Sequence, residues 1–208
     1  MKRSFMFICA VALLLTGCGA SADEASAQLF VMQLDAYGHQ VKQAVSDAEE
    51  TIQALEARLS RTREDSLVSV LNQNGAAQDL SAAEQALLSE ALTFRDATGG
   101  AFDITIAPVM DAWGFTGDSY RVPAQDELDA LLENVNSDEI RLSGSSVTLG
   151  AGQAIDLGGI AKGYTSDCVE AVFRENKIES GKISLGGNVF VLGGKPDGAD
   201  WRVGIRDP

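Results

Sequence analysis

Apolar and polar positions follow two different periods along this chain. From Gln40 to Ser60 the apolar residues are Val41, Ala44, Val45, Ala48, Ile52, Leu55 and Leu59, a helical spacing that predicts one long helix with a buried stripe. Leu67 to Leu71 predicts a short helical piece within the polar, turn-rich run from Arg61 to Asn74. Ser81 followed by Glu84 is a capping-box pattern opening a second long helix, which Gly99-Gly100 closes. Further helices are predicted over Asp126 to Val135 and over Ala161 to Asn176. Strands are predicted at Val31 to Tyr37, Glu139 to Leu142, Ser146 to Leu149, Gln153 to Asp156, Lys182 to Leu185, Val189 to Leu192 and Trp201 to Ile205. A Ser-Gly-Ser turn makes 139–149 a hairpin. The chain shows no internal repeat. The pattern is α+β, with mixed or antiparallel sheets and flanking helices.

Composition changes this picture mainly through charge. The 208 residues suit one domain, or at most one and a half, with enough chain to bury a core. A net charge of −14 excludes nucleic acid and an electrostatic grip on anionic lipid, since both need clustered Lys and Arg. Any phosphate-bearing ligand must then be held locally, by backbone amides, a lysine or a divalent cation.

The first residues read as targeting, not fold. Lys2 and Arg3 precede an apolar run from Phe5 to Leu15 that is too short to span a bilayer. Leu15-Thr16-Gly17-Cys18 follows, in the order of a bacterial lipoprotein processing box. Residues 1–17 are expected to be a signal peptide, Cys18 the lipidated residue, 18–28 a flexible tether and 29–208 the folded domain. The protein is then held to a membrane through its lipid, on the extracytoplasmic side (in a periplasm or on the outer face of the cell membrane). Ordinary secretion, with Cys18 incidental, is the other reading. Cys9 lies in the leader, so Cys168 stands alone in the mature part, without a disulfide partner or a cysteine metal cluster. Packing inside its helix explains Cys168. The single histidine, His39, has no partner for a nucleophilic mechanism and is expected on the surface near a helix start.

Two blocks carry candidate chemistry. In Ile155-Asp156-Leu157-Gly158-Gly159-Ile160-Ala161-Lys162 an apolar strand meets an acidic residue, a glycine pair and a helix start. Adjacent glycines allow close approach of a ligand, and a helix start offers N–H groups and partial positive charge to a phosphate. Lys162 is a cation in the first turn, where the helix dipole does not favour it, which points to a nearby anion. A plain tight turn with Lys162 solvated fits the same residues. In Gly99 to Phe115, Asp103 with Thr105 could hydrogen-bond a sugar or polyol, or Asp103 could cap a turn. Trp113 and Phe115 could flank a ring, but are expected in the core.

Several motifs occur together and in order: Leu59-Ser60-Arg61, Asp65-Ser66, Leu71-Asn72, Thr98 to Thr105, Trp113-Gly114-Phe115, Asp156 to Tyr164, Ser184-Leu185-Gly186-Gly187-Asn188 and Trp201 to Ile205. This set resembles the FAD:protein FMN transferases, the ApbE family, from about Tyr37 to the last residue. The resemblance implies an enzyme that binds FAD with Mg²⁺ and moves the FMN half onto a Thr or Ser hydroxyl of a target flavoprotein, releasing AMP. It implies that Ala101, Phe102 and Asp103 line the FAD site, that Asp156 hydrogen-bonds FAD with Lys162 beside it, and that the Gly159 carbonyl helps hold the metal. The chain departs from the family where Gln28-Leu29-Phe30 replaces a first-strand Met motif, and where Thr62 stands at a position often aromatic in relatives.

Members of the family continue past the point where this chain stops, at Asp207-Pro208. Their later part carries a His-containing motif and an Asp and a Thr that complete the metal site. Catalytic residues are therefore expected in that C-terminal part, and the chain is expected to be the N-terminal part of a transferase, slow or inactive by itself. Two other readings remain open: a non-catalytic FAD- or FMN-binding lipoprotein, and a surface lipoprotein with a degenerate pocket.

Overall fold

The computed structural model describes residues 23–29, 32–116 and 119–205. The leader and Cys18 lie outside them. In chain order the elements are β1 (Asp23–Leu29), β2 (Met32–Gly38), α1 (Val41–Leu59), α2 (Leu67–Asn74), β3 (Ala76–Ala77) and α3 (Ala82–Ala97). A 3-10 turn (Ile104–Ile106) leads into α4 (Ala107–Ala112), followed by α5 (Gln125–Leu132) and a second 3-10 turn (Ser137–Glu139). Then come β4 (Arg141–Ser143), β5 (Ser146–Thr148), α6 (Ala161–Glu175), β6 (Ile178–Leu185) and β7 (Asn188–Leu192). The chain divides into two compact units, Ala54–Ala161 and the residues on either side of it. The flanking unit is discontinuous in sequence, which is why composition along the chain shows no boundary.

The flanking unit is built on an antiparallel sheet in the order β1-β2-β6-β7. Leu34 and Ala36 of β2 and Ile183 and Leu185 of β6 join one buried cluster with Val41, Ala44, Val45, Ala48 and Ile52 of α1 and Val169 and Phe173 of α6. The helical stripe read from the sequence is thus the buried face of α1 from Val41 to Ile52; Leu59 is buried as well, and Leu55 is half-buried. Phe173 is fully buried, and a Cβ at Gly181 would stand 3.0 Å from its ring, so β6 carries glycine where the ring lies on the sheet. Asp35 and Lys182, opposite each other in the register, form an ion pair at 2.6 Å.

The second unit surrounds a small antiparallel sheet, β3-β5-β4. Ser81 accepts the Glu84 N–H, and Glu84 answers from the Ser81 N–H at 2.8 Å, so the capping box predicted for α3 is formed. Burial alone would raise the Glu84 carboxyl, but hydrogen bonds from Arg58 and Ser81 outweigh it and hold the group below its usual range.

Three expectations are corrected. Gln153 to Asp156 is not a strand: its third residue, Ile155, is bonded in both directions to one side chain, Asn72, as described below. Trp201 to Ile205 forms no ladder, and Trp201 is instead fixed by its indole N–H to the Gly193 carbonyl at 3.0 Å and by contact with Tyr37. The described part of the expected tether is a strand, because Asp23–Leu29 pairs residue for residue with β2.

His39 is exposed just before α1, as expected. Among the described residues no helix is long and apolar enough to cross a membrane.

Candidate functional site

Within the second unit, the segment before the glycine pair is held by side-chain chemistry. Asn72, in the last turn of α2, donates from Nδ2 to the Ile155 carbonyl at 2.9 Å and accepts the Ile155 N–H at 2.7 Å. Its amide acts as a one-residue strand partner, so Ile155 is paired without a sheet. The next residue, Asp156, donates its backbone N–H to the Ile104 carbonyl at 2.7 Å. The Asp156 side chain then turns the chain, with Oδ1 accepting the Gly158 N–H at 2.6 Å.

The amides of this turn are largely used inside it. Gly158 bonds to Asp156, while the N–H groups of Ile160 and Ala161 both donate to the Leu157 carbonyl, at 3.0 and 2.8 Å. Fewer donors therefore face outward than a bare helix start would offer a phosphate. Gly158 and Gly159 are exposed. Phe102 lies against Gly159, where a Cβ would stand 3.0 Å from its Cε2, while a Cβ at Gly158 would stand 2.9 Å from Asp156 Oδ1. Phe94 meets the Phe102 ring edge-on, with centroids 6.3 Å apart.

Asp103 is the most heavily bonded carboxylate here. Its Oδ1 accepts the Thr105 N–H at 2.8 Å, the Thr105 hydroxyl at 2.6 Å and the Ser137 hydroxyl at 2.5 Å. Oδ2 accepts the Ser137 N–H at 3.0 Å. Burial raises its pKa, and these bonds more than reverse that, leaving the group below its usual range. Of the two roles open to it from sequence, turn capping is the one the geometry shows. Asp103 caps the 3-10 turn at Ile104 and ties the Ser137–Glu139 turn to it.

Arg61, named above only as the end of the Leu59-Ser60-Arg61 motif, and Asp111, which sequence reading did not single out, complete this arrangement. Arg61 donates to Asp156 Oδ2 at 2.8 Å and to both oxygens of Asp111 at 2.8 Å. The motif marked Arg61 without giving it a role, because its partners lie 50 and 95 residues away in sequence. Phe115 also differs from expectation. It is 53% exposed, stacked on Trp113 and edge-on to Tyr120, so it is not a core residue. The reason is Gly114, whose φ of +78° turns the chain outward after α4.

Ala101, Phe102, Asp103, Asp156 and Gly159 thus all belong to the second unit, on two backbone segments joined through Ile104. Lys162 begins the other unit's share of α6 and is exposed. There its carbonyl accepts the Ser166 hydroxyl at 3.0 Å, and Asn188 Nδ2 reaches Ser166 Oγ at 3.1 Å. The Gly186-Gly187-Asn188 turn is in this way fastened to the first turns of α6. Cys168, on the same helix, has its thiol pushed up by burial, a packed cysteine and not an activated one. Among the described residues no group of three or more His, Cys, Asp or Glu is arranged to hold a metal ion.

Residues 30–208 match the model of the ApbE family. Over 188 residues the chain is 32% identical to the FAD:protein FMN transferase of Treponema pallidum (strain Nichols), an overlap covering 81% of this chain and 52% of that protein. It is 27% identical over 168 residues to the FAD:protein FMN transferase of Vibrio cholerae, covering 78% and 50%. The chain spans about half the length of these curated relatives. Its structure is similar to that of the ApbE protein from Thermotoga maritima, with a TM-score of 0.78 at 26% identity, over 89% of this chain and 63% of that one. The apo form of the Pseudomonas stutzeri flavinyl transferase ApbE gives a TM-score of 0.76 at 23% identity, over 84% and 59%.

Proposed function

The chain belongs to the ApbE family, and from that premise we propose that it is part of an FAD:protein FMN transferase. The observation that carries this reading is the Asp156-Leu157-Gly158-Gly159 turn, with Phe102 laid on Gly159 and Asp156 aimed by two donors. In this reading Ala101 and Phe102 line the FAD. Asp103 keeps their loop in place through Thr105 and Ser137. Asp156 accepts a hydrogen bond from FAD.

The reaction is attack of a Thr or Ser hydroxyl of a target flavoprotein on the phosphorus of the FMN half. One P–O bond forms, the bond bridging the two phosphates breaks, and AMP leaves with the bridging oxygen. The residues described here bind and orient; they assign no base to the hydroxyl proton. Such a step depends mostly on positioning and on neutralising charge. When bound, Mg²⁺ would offset charge on the phosphates. In this reading the Gly159 carbonyl would be one of its ligands.

The test is direct. The whole protein, given FAD and an acceptor flavoprotein, is expected to release AMP as flavin becomes covalently attached to the acceptor. Chelating divalent cations is expected to stop this and Mg²⁺ to restore it. Transfer at full rate in chelator contradicts the metal-dependent reading. FAD bound without AMP release assigns the protein instead as a flavin-binding lipoprotein.

The leader reading belongs to the same proposal. Residues 1–17 are removed and Cys18 is acylated, holding the protein to the extracytoplasmic face of a membrane. Cys18→Ser is expected to move the protein from the membrane fraction to the soluble one. Unchanged membrane association would contradict the anchor.

A further inference from the structure

Arg61 forks between two carboxylates of unequal exposure. Its own side chain is 13% exposed, that of Asp156 16%, and that of Asp111 51%. The outer carboxylate thus steadies a guanidinium whose other arm, Nη1, directs the inner carboxylate at 2.8 Å. The backbone at Arg61 is fixed as well. Its carbonyl accepts the Ser69 hydroxyl at 3.0 Å, and the carbonyl of Ser60 accepts the hydroxyl of Ser66, the N-cap of α2, at 2.5 Å. A planar guanidinium imposes direction on each partner in a way that an ammonium does not. Asp156 therefore has one oxygen set by Gly158 and the other by Arg61, and each oxygen keeps a lone pair for a further donor.

We propose that Arg61 is the positioning residue of the flavin site. It aims the Asp156 carboxylate and cancels its charge, so that Asp156 accepts hydroxyl or N–H donors of FAD without repelling the FAD phosphates. The inference rests on the reading of Asp156 as an FAD contact. Asp111 and Asp156 with one arginine carry a single net negative charge. Without Arg61 they carry two, facing a ligand that is itself anionic, in a chain of net charge −14. The role belongs to Arg61 as a fork: a lysine there would restore charge but could not direct separate nitrogens at the two carboxylates.

The experiment is a double-mutant cycle on FAD affinity in the full-length protein, with folding followed by thermal melts. Arg61→Met is expected to weaken FAD binding about tenfold or more, the scale of one charge-assisted hydrogen bond. Arg61→Lys is expected to recover only part of that loss. In turnover the loss is expected in KM for FAD, with kcat at saturating FAD changed less. The decisive arm is Asp156→Asn. In that background Arg61→Met is expected to add less than about twofold, because a positioning residue has nothing left to position. Arg63→Met, which removes an exposed pair with Asp65, is the control and is expected to leave binding unchanged. If the unaltered protein binds FAD and Arg61→Met binds it equally well, or if the two losses simply multiply, the inference is overturned and the flavin reading stands. If the unaltered protein binds no FAD, both are overturned.

Discussion

Two glycine pairs, identical as letters, are required for opposite physical reasons. At Gly186-Gly187 the φ angles are +56° and +94°, and an added Cβ on Gly187 would meet nothing within 4 Å. Conformation demands glycine there: the hairpin between β6 and β7 needs backbone angles that other residues reach only at a cost. At Gly158-Gly159 neither residue lies in the left-handed region, yet added Cβ atoms would stand 2.9 Å from Asp156 Oδ1 and 3.0 Å from Phe102 Cε2. Close neighbours, not backbone conformation, favour glycine there. The first pair shapes a turn, while the second clears room for a carboxylate, a ring and the ligand expected beside them. A glycine pair signals function only once its φ angles are known.

The comparison can be broken most forcefully at the residue that fixes the ring's loop. Asp103→Ala removes four hydrogen bonds at once and leaves Ser137 and Thr105 donors unsatisfied, so a loss of about 3 kcal/mol is expected in denaturant unfolding. A loss under 1 kcal/mol would show that the loop is held some other way. Next in size is Gly159→Ala. Phe102 can yield by a few tenths of an ångström, so stability should change little, while FAD affinity is expected to fall about tenfold, or about 1.4 kcal/mol. A large stability loss with unchanged FAD binding would reverse the assignment of this pair. Gly187→Ala is expected to do the opposite, costing about 1 kcal/mol of stability through its positive φ and leaving FAD binding alone.

The smallest effect near neutrality is that of pH. Asp103 and Glu84 both have folded pKa values lowered below their unfolded ones. Their stabilisation is therefore complete above the unfolded carboxyl values, about 4, and is lost as pH falls through the lower folded values. Melting temperature is expected to stay flat near pH 7 and to drop in acid, with a shallower drop for Glu84→Gln. A stability maximum in acid would contradict the sign.

What could be read from sequence was what depends on neighbours along the chain. The stripe of α1 and the Ser81–Glu84 box are both local, and both are formed as the spacing predicts. The segment 153–156 was misread because its alternation fits a strand, while its actual partner is the side-chain amide of Asn72 in a helix far away in sequence. The role of Arg61, and Asp111 altogether, escaped notice for the same reason. Each looks like an ordinary surface charge until folding joins Asp111 to Arg61 and Arg61 to Asp156. Phe115 was expected in the core because large aromatics usually are buried, but a left-handed glycine directs it outward. The residues of the Asp156 turn were legible through their motif. How Asp156 is aimed was not.

The most direct measurement is a titration of FAD into the unaltered protein and into Asp156→Ala, each shown to be folded by its thermal melt. If the glycine turn beside Asp156 is where the flavin nucleotide is held, the unaltered protein binds FAD and the variant binds it at least tenfold more weakly. Equal affinity in the two, or no binding by the unaltered protein, would contradict it.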